Sequence, residues 1–358
     1  MIATTGAPRA AAWRRLLDEV ADARGLAPLS ARVTAWAEVL GREDAGPPGA
    51  PSETAAGARS GGPGGLRTAD RVLLDFAGRH PFLAPDDLAG ALGWAPAATR
   101  RRRDALVAAG LLRLLEPAEA VAGGLPRAAA AAGLAELTPA GIALVAAQQG
   151  LTAGAAARHT GLAGGGPDQR AGTRLGRARY VLVRHLAHTR GADRFFVALA
   201  RAARAAAARS PESARAGPAL AVWRNAIACA RGRVHPDGYG VLRRGGRRHG
   251  FFLEYDRGTA RAGDYRAKLG AYYAYRDSGR FAADYAGFPV VLLVTTDTDA
   301  ENRIAGYARA AAGGAAPLPL LLTTEWRFRG APGRPPDPAG PLGPIWRTPD
   351  DRERRRWP

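Results

Sequence analysis

The chain has 358 residues, enough for two or three domains, and 47% of them are hydrophobic, enough for real cores. Its 51 Lys+Arg against 32 Asp+Glu leave a formal charge of +19, which self-repels unless a polyanion is close; nucleic acid is the commonest such partner and an anionic membrane surface the alternative. No apolar run reaches the roughly 18–20 residues that span a bilayer, the N-terminus lacks the apolar core of a signal peptide, and the single cysteine, Cys229, excludes an internal disulfide; these features point to a soluble cytoplasmic protein with no membrane partner.

Residues 1–66 contain two short amphipathic patterns, at 11–24 and 30–42, and then a Gly/Pro/Ala/Ser stretch at 45–65 that cannot bury a core and reads as a linker. From Arg67 the pattern tightens. Helices are expected over 69–78 and 88–92, with Asp86 and Asp87 near the start of the second, as the helix dipole favours. A third helix opens at Pro96 and stops at Gly110. Short strands at 111–115 and 133–138 flank a loop, and a helix over 139–148 closes the unit. Helix, helix, helix, strand, loop, strand, helix is the order of a winged helix-turn-helix, expected here over 67–150. Its third helix carries Arg100, Arg101, Arg102 and Arg103, the candidate DNA-binding residues, with Arg113 on the wing. Consecutive residues sweep round a helix, so two or three of these arginines can reach phosphates or base edges of double-stranded DNA. The alternative is a solvated basic helix in an interaction module.

Residues 151–174 read as a second low-complexity linker. Over 175–325, helices are expected at 180–188 and 193–209, at 262–275 and at 299–313, and strands at 288–295 and 317–323. Residues 232–242 and 250–256 form a hairpin with Gly245-Gly246 in its turn, while 220–229 is ambiguous between strand and helix. Strands alternating with helices make this an α/β domain around a mixed sheet. Residues 326–358 are Pro- and Arg-rich and are expected as a basic disordered tail whose 352–356 cluster adds non-specific DNA affinity.

All the Lys/Arg residues but one are arginine, and the exception is Lys268. Where arginine is the default cation, a lone lysine suggests a place that needs a compact point charge in place of a planar fork. Asp237 follows Pro236 at a strand start, and Glu254 and Asp256, two apart on the next strand, share a face. Carboxylates converging from paired strands, Asp237 and Glu254 above all, make a hard oxygen site suited to Mg²⁺. Lys268 on the following helix is placed to orient water or stabilise charge, which makes Asp237, Glu254, Asp256 and Lys268 the candidate catalytic set. The competing reading is structural: Asp237-Gly238 as a turn pair, and the other acids paired with Arg257, Arg261 or Arg266. His185 and His188 have the spacing of a shared helix metal site, but with no third ligand evident they read as surface or core residues.

The segments Pro236-Asp237-Gly238-Tyr239-Gly240, Phe251-Phe252-Leu253-Glu254-Tyr255-Asp256-Arg257-Gly258 and Tyr265-Arg266-Ala267-Lys268-Leu269 resemble the bacterial replication-relaxation family, and the Pro-Asp … Glu pattern is similar to the PD-(D/E)XK restriction-endonuclease-like fold. The resemblance implies a DNA-binding protein, with metal-dependent DNA nicking or a role in plasmid replication and relaxation. Its implied partners are double-stranded DNA, a second copy of the chain, or replication and plasmid-transfer proteins. The alternative is a winged-helix transcription or plasmid-copy regulator with a degenerate nuclease-like domain. Two residues after Glu254, where that fold usually carries lysine, this chain has Asp256, so Lys268 stands as the substitute.

Overall fold

A computed structural model describes residues 66–152, 179–180, 182–209, 217–258 and 260–357. The expected helices at 11–24 and 30–42 and the linker at 45–65 lie outside the described residues, as does most of the connector after 150. The described residues belong to one compact unit. Among them no helix is long and apolar enough to cross a membrane.

The chain enters through helices α1 (Thr68–Arg79), α2 (Pro85–Leu92) and α3 (Pro96–Ala108). Pro at the first helical position opens α2 and α3, where its missing N–H costs nothing. Gly93, at φ 73°, ends α2 in the left-handed conformation that glycine adopts freely. Strands β1 (Leu112–Leu114) and β2 (Ala135–Leu137) pair antiparallel, with Leu112 opposite Leu137. The loop between them holds two short helical turns, Pro117–Ala122 and Arg127–Ala130, and α4 (Pro139–Gln149) closes the module with Thr138 as its N-cap.

The second half is built on α5 (Leu186–Ala208), one continuous helix where the sequence pattern predicts two. A five-stranded mixed sheet follows in the order β3 (Ala219–Asn225), β4 (Gly238–Arg244), β5 (Arg247–Asp256), β6 (Val290–Thr295), β7 (Leu320–Thr324). The first three strands form an antiparallel meander, and β6 and β7 add in parallel through crossover helices α6 (Ala262–Asp277) and α7 (Thr298–Ala312). The mixed α/β class is the expected one. The ambiguous stretch at 220–229 resolves into β3 and a single turn, Ala226–Cys229, capped by the Asn225 side chain.

Strand β5 explains the two layers. Phe251, Leu253 and Tyr255 face α5, where they pack with Phe195, Phe196 and Trp223. Phe252 faces α6 with Tyr265, Leu269 and Tyr272. This is the two-residue alternation of a strand buried on both sides. The α5 layer also carries the N-terminal module: Leu73, Leu74, Phe82 and Leu88 belong to the same core, Arg204 bonds the Ala91 carbonyl at 2.9 Å, and His80 stacks on Trp223 at 3.9 Å. The N-terminal module of helices and a two-stranded ribbon and the five-stranded sheet are therefore two lobes of one packed body.

Residues 326–357 differ from the expected disordered tail. Trp346 and Trp357 are each only 1% exposed and pack against Phe195 and Phe251. Arg347 bridges to Leu322 of β7, and Arg354, one of the expected DNA-affinity cluster, donates to the fully buried Glu301 at 2.8 Å. Burying two indoles outweighs the local Pro/Arg composition that predicts disorder.

Candidate functional site

At the C-terminal end of β5 the sheet gathers Asp237, Glu254, Asp256, Lys268 and His188, with the hydroxyls of Tyr265 and Tyr272. Asp237 stands immediately before β4, its N–H donating to the Leu253 carbonyl at 2.9 Å, so the β4–β5 register sets it beside Glu254. Asp237 Oδ2 accepts the Tyr255 N–H at 2.7 Å, and Oδ1 lies 2.8 Å from His188 Nε2. Glu254 is 3% exposed; Oε1 accepts the Tyr272 hydroxyl at 2.5 Å, and Oε2 accepts the Lys268 ammonium. Asp256, on the same face, is hydrogen-bonded by the Tyr265 hydroxyl. The structure thus brings Asp237, Glu254, Asp256 and Lys268 to one place, and Lys268 points into it.

Lys268 gets there because α6 lies on the sheet through Tyr265, Leu269 and Tyr272, and its position between them faces the end of β5. His188 gets there because α5 approaches closely: a Cβ on Gly191 would lie 2.0 Å from the Tyr255 ring, so only glycine allows this contact. His188 lies three residues before Gly191, on the same helix face. Asp237 sits at the sheet's end, where side chains from both helical layers reach it.

The electrostatics follow from burial and pairing. Burial alone would lower the His188 pKa, but Asp237 outweighs it and raises the imidazole above its ordinary value. Burial would raise Asp237, but His188, Lys268 and the Tyr255 N–H hold it below the usual carboxylate range. Glu254 is pushed up, first by burial and then by Asp237, against the pull of Lys268. Lys268 is held above its ordinary value because Glu254 and then Asp237 overcome its desolvation. Cys229 lies fully buried beneath this cluster, its thiol pushed up to about 12 by burial and the nearby acids, as expected of an inert thiol. Asp193, the acid at the expected helix start, is not part of the site; it faces Arg190 and Asp87 at the seam with the N-terminal module.

Lys268 lines two openings. One is a cavity of about 830 Å³ lined by Arg231, Arg233, His235, Arg266 and Arg280 together with Asp284, which pairs with Arg231 at 2.9 Å. The other, about 130 Å³, is bounded by His188, Tyr255, Asp256, Arg257 and Tyr265. Among the described residues no group of three or more His, Cys, Asp or Glu has the arrangement of a metal cage. A Mg²⁺ ion can be held by one or two carboxylates, the remainder being water and substrate phosphate; Asp237 and Glu254 are the two carboxylates here, and each of their oxygens already has a protein partner.

The expected DNA-binding arginines separate. Arg101 is exposed and has no ion pair among the described residues, and exposed Arg100 pairs with exposed Asp86 at 3.1 Å. Arg102 is tied to Asp70 at 2.7 Å. Arg103 is buried, and Nη1 donates to the Gly133 carbonyl at 2.8 Å, which removes it from any groove. Arg113 pairs at 2.6 Å with Glu136, which also holds Arg179. A buried Glu136 takes up the wing arginine, so Arg102, Arg103 and Arg113 brace the module, and of the five only Arg100 and Arg101 face outward. His188 is the site residue that sequence reasoning passed over. Its neighbour His185 drew it into a metal-pair pattern that the fold does not use, and no local signal links position 188 to 237.

A family model described as replication-relaxation matches residues 74–291, more than half of the chain. Neither the curated proteins nor the solved structures yield a match.

Proposed function

The chain belongs to the replication-relaxation family, and from that premise we propose that it binds duplex DNA and cuts one strand of it at the Asp237–Glu254–Lys268 site. One observation carries this reading: the only lysine in the chain ends on the Glu254 carboxylate, beside Asp237, at the mouth of a basic cavity. The order of β3, β4, β5, α6 and β6, with Asp237 entering β4 and Glu254 late in β5, supports a restriction-endonuclease-like domain. The three-helix module with its two-stranded wing supports a winged helix that holds duplex DNA through Arg100 and Arg101.

In this reading Asp237 and Glu254 would hold Mg²⁺, whose chemistry is to polarise a phosphodiester and lower the pKa of bound water. Water attacks phosphorus and the P–O3′ bond breaks, leaving a 5′-phosphate and a 3′-hydroxyl. Lys268, cationic throughout the physiological range, neutralises the charge that develops on the phosphoryl oxygens. His188 is a positioning residue: its hydrogen bond fixes the Asp237 rotamer and keeps that carboxylate charged. Asp256, bonded by Tyr265, would assist by adding a further carboxylate on the same face as Glu254.

A second reading rests on a specific observation. All four oxygens of Asp237 and Glu254 already accept a protein donor, so the cluster is satisfied without a metal. The protein would then be a non-enzymatic DNA-binding regulator with a nuclease-like scaffold. Incubating supercoiled plasmid with the protein and Mg²⁺ separates the two readings. Conversion to open circle by wild type, lost in Asp237→Asn and Glu254→Gln, supports nicking; equal behaviour of wild type and both variants leaves the regulator.

A further inference from the structure

Strands β4 and β5 run beyond the core into a tip of sequence Arg243-Arg244-Gly245-Gly246-Arg247-Arg248-His249. The register sets Arg243 opposite Arg248 and Arg244 opposite Arg247. Like charges directly across an antiparallel pair are destabilising, and the segment has no acid to offset them. Arg247 and Arg248 are exposed and Arg244 is partly so, and none of these three makes an ion pair among the described residues. Gly245 and Gly246 have φ of 56° and 74°, the double left-handed turn that matches the twist of a tight hairpin. A Cβ on either would meet nothing within 4 Å, so the tip stands clear of the other described residues. The positive field is strong enough that Arg247 and Arg244 add to burial in lowering the pKa of His249.

We infer that this hairpin is a second DNA-contacting element, a β-ribbon that lies in the major groove of duplex DNA with Arg244, Arg247 and Arg248 on the flanking phosphates. The inference rests on the DNA-binding reading above and adds a surface at the opposite end of β5 from the Asp237 site. Charge selects a polyanion, and shape selects its form. The major groove of B-DNA is about 12 Å wide and admits a two-stranded ribbon, whereas the major groove of an A-form RNA helix is too narrow and deep. The tip carries no aromatic residue on which single-stranded bases could stack and no apolar residue that could enter a bilayer. Arg248 shares its face of β5 with Glu254, and the six steps from Arg248 to Glu254 span roughly 20 Å. That is less than one turn of duplex, about 34 Å, so one DNA molecule can meet both the ribbon and the acidic site.

The test uses the full chain and a short B-form duplex, with binding measured over a series of salt concentrations. Replacing Arg244→Gln, Arg247→Gln and Arg248→Gln together is expected to reduce the slope of log K against log salt by about 2–3, close to one for each phosphate no longer neutralised. Binding at moderate salt should fall at least tenfold, and thermal stability should hold or rise because the like-charge pairs are relieved. A matched Arg→Lys triple variant should keep the wild-type slope. An unchanged slope in the glutamine variant, an equal fall in slope in the lysine variant, or an equal fall on an RNA duplex of the same sequence overturns the ribbon. If wild type binds no duplex at all, the DNA-binding reading itself fails; if wild type binds and the glutamine variant matches it, the ribbon alone fails.

Discussion

His188 Nε2 lies 2.8 Å from Asp237 Oδ1, joining a helix on one face of the sheet to the turn that enters β4. Each side of the pair shifts the other: the imidazole is raised and the carboxyl lowered. The stability it contributes therefore has two edges. The histidine's share is fully present below its unfolded value near 6.5 and is lost as pH rises through the raised folded value. The aspartate's share is present above 3.8 and is lost as pH falls through the lowered folded value. Melting curves from pH 5 to 9 should show wild type losing stability above neutrality and His188→Gln losing less of it. Parallel profiles would show that the pair carries no charge.

Removing Lys268 strands the Glu254 carboxylate among Phe252, Tyr272 and Asp237. Breaking a buried pair costs several kcal/mol, but the Lys268 side chain is 41% exposed and solvent screens the interaction, so Lys268→Met should cost about 2 kcal/mol in urea unfolding. The cost should shrink at pH 5, because Glu254 is already raised by burial and can take up a proton. The double variant Lys268→Met/Glu254→Gln should recover most of the loss, since it leaves no unpaired charge.

Arg101 and Arg103 are two residues apart in α3 and point to opposite fates. Arg103→Ala leaves the Gly133 carbonyl without its donor and should cost about 1–3 kcal/mol of stability. Arg101→Ala should leave the unfolding midpoint within about 0.5 kcal/mol and weaken duplex binding. If DNA affinity falls only with Arg103, the outward face of α3 does not touch DNA.

Asp193 is buried with one oxygen unbonded, and burial pushes its carboxyl up to about 7. An acid raised on folding is most compatible with the native state when protonated, so its share of stability is lost as pH climbs from about 4 to about 7. Between pH 5 and 8 this group should cost wild type roughly 2–3 kcal/mol. Asp193→Asn should remove that dependence and melt higher than wild type at pH 8. A variant that melts lower at pH 8 would show that the carboxylate has a partner in solution.

What local pattern can encode was legible along the chain. Two-residue alternation put Glu254 and Asp256 on one face, Pro236 and the Gly245-Gly246 turn framed the hairpin, and Lys268 declared itself by being the only lysine. Periodicity and turn chemistry act over a few residues, so they survive in a linear reading. The remaining features exist only in the folded chain. Folding carried His188 to Asp237 across 49 positions of sequence, by way of a helix that only Gly191 lets close on Tyr255. It turned Arg103 inward to a carbonyl thirty residues away, and it drew Trp346 and Trp357 out of an Arg- and Pro-rich stretch into the core. Each of these pairings joins groups far apart in sequence, and the free energy that selects them comes from burying surface and satisfying polar atoms in three dimensions. No local spacing records that energy.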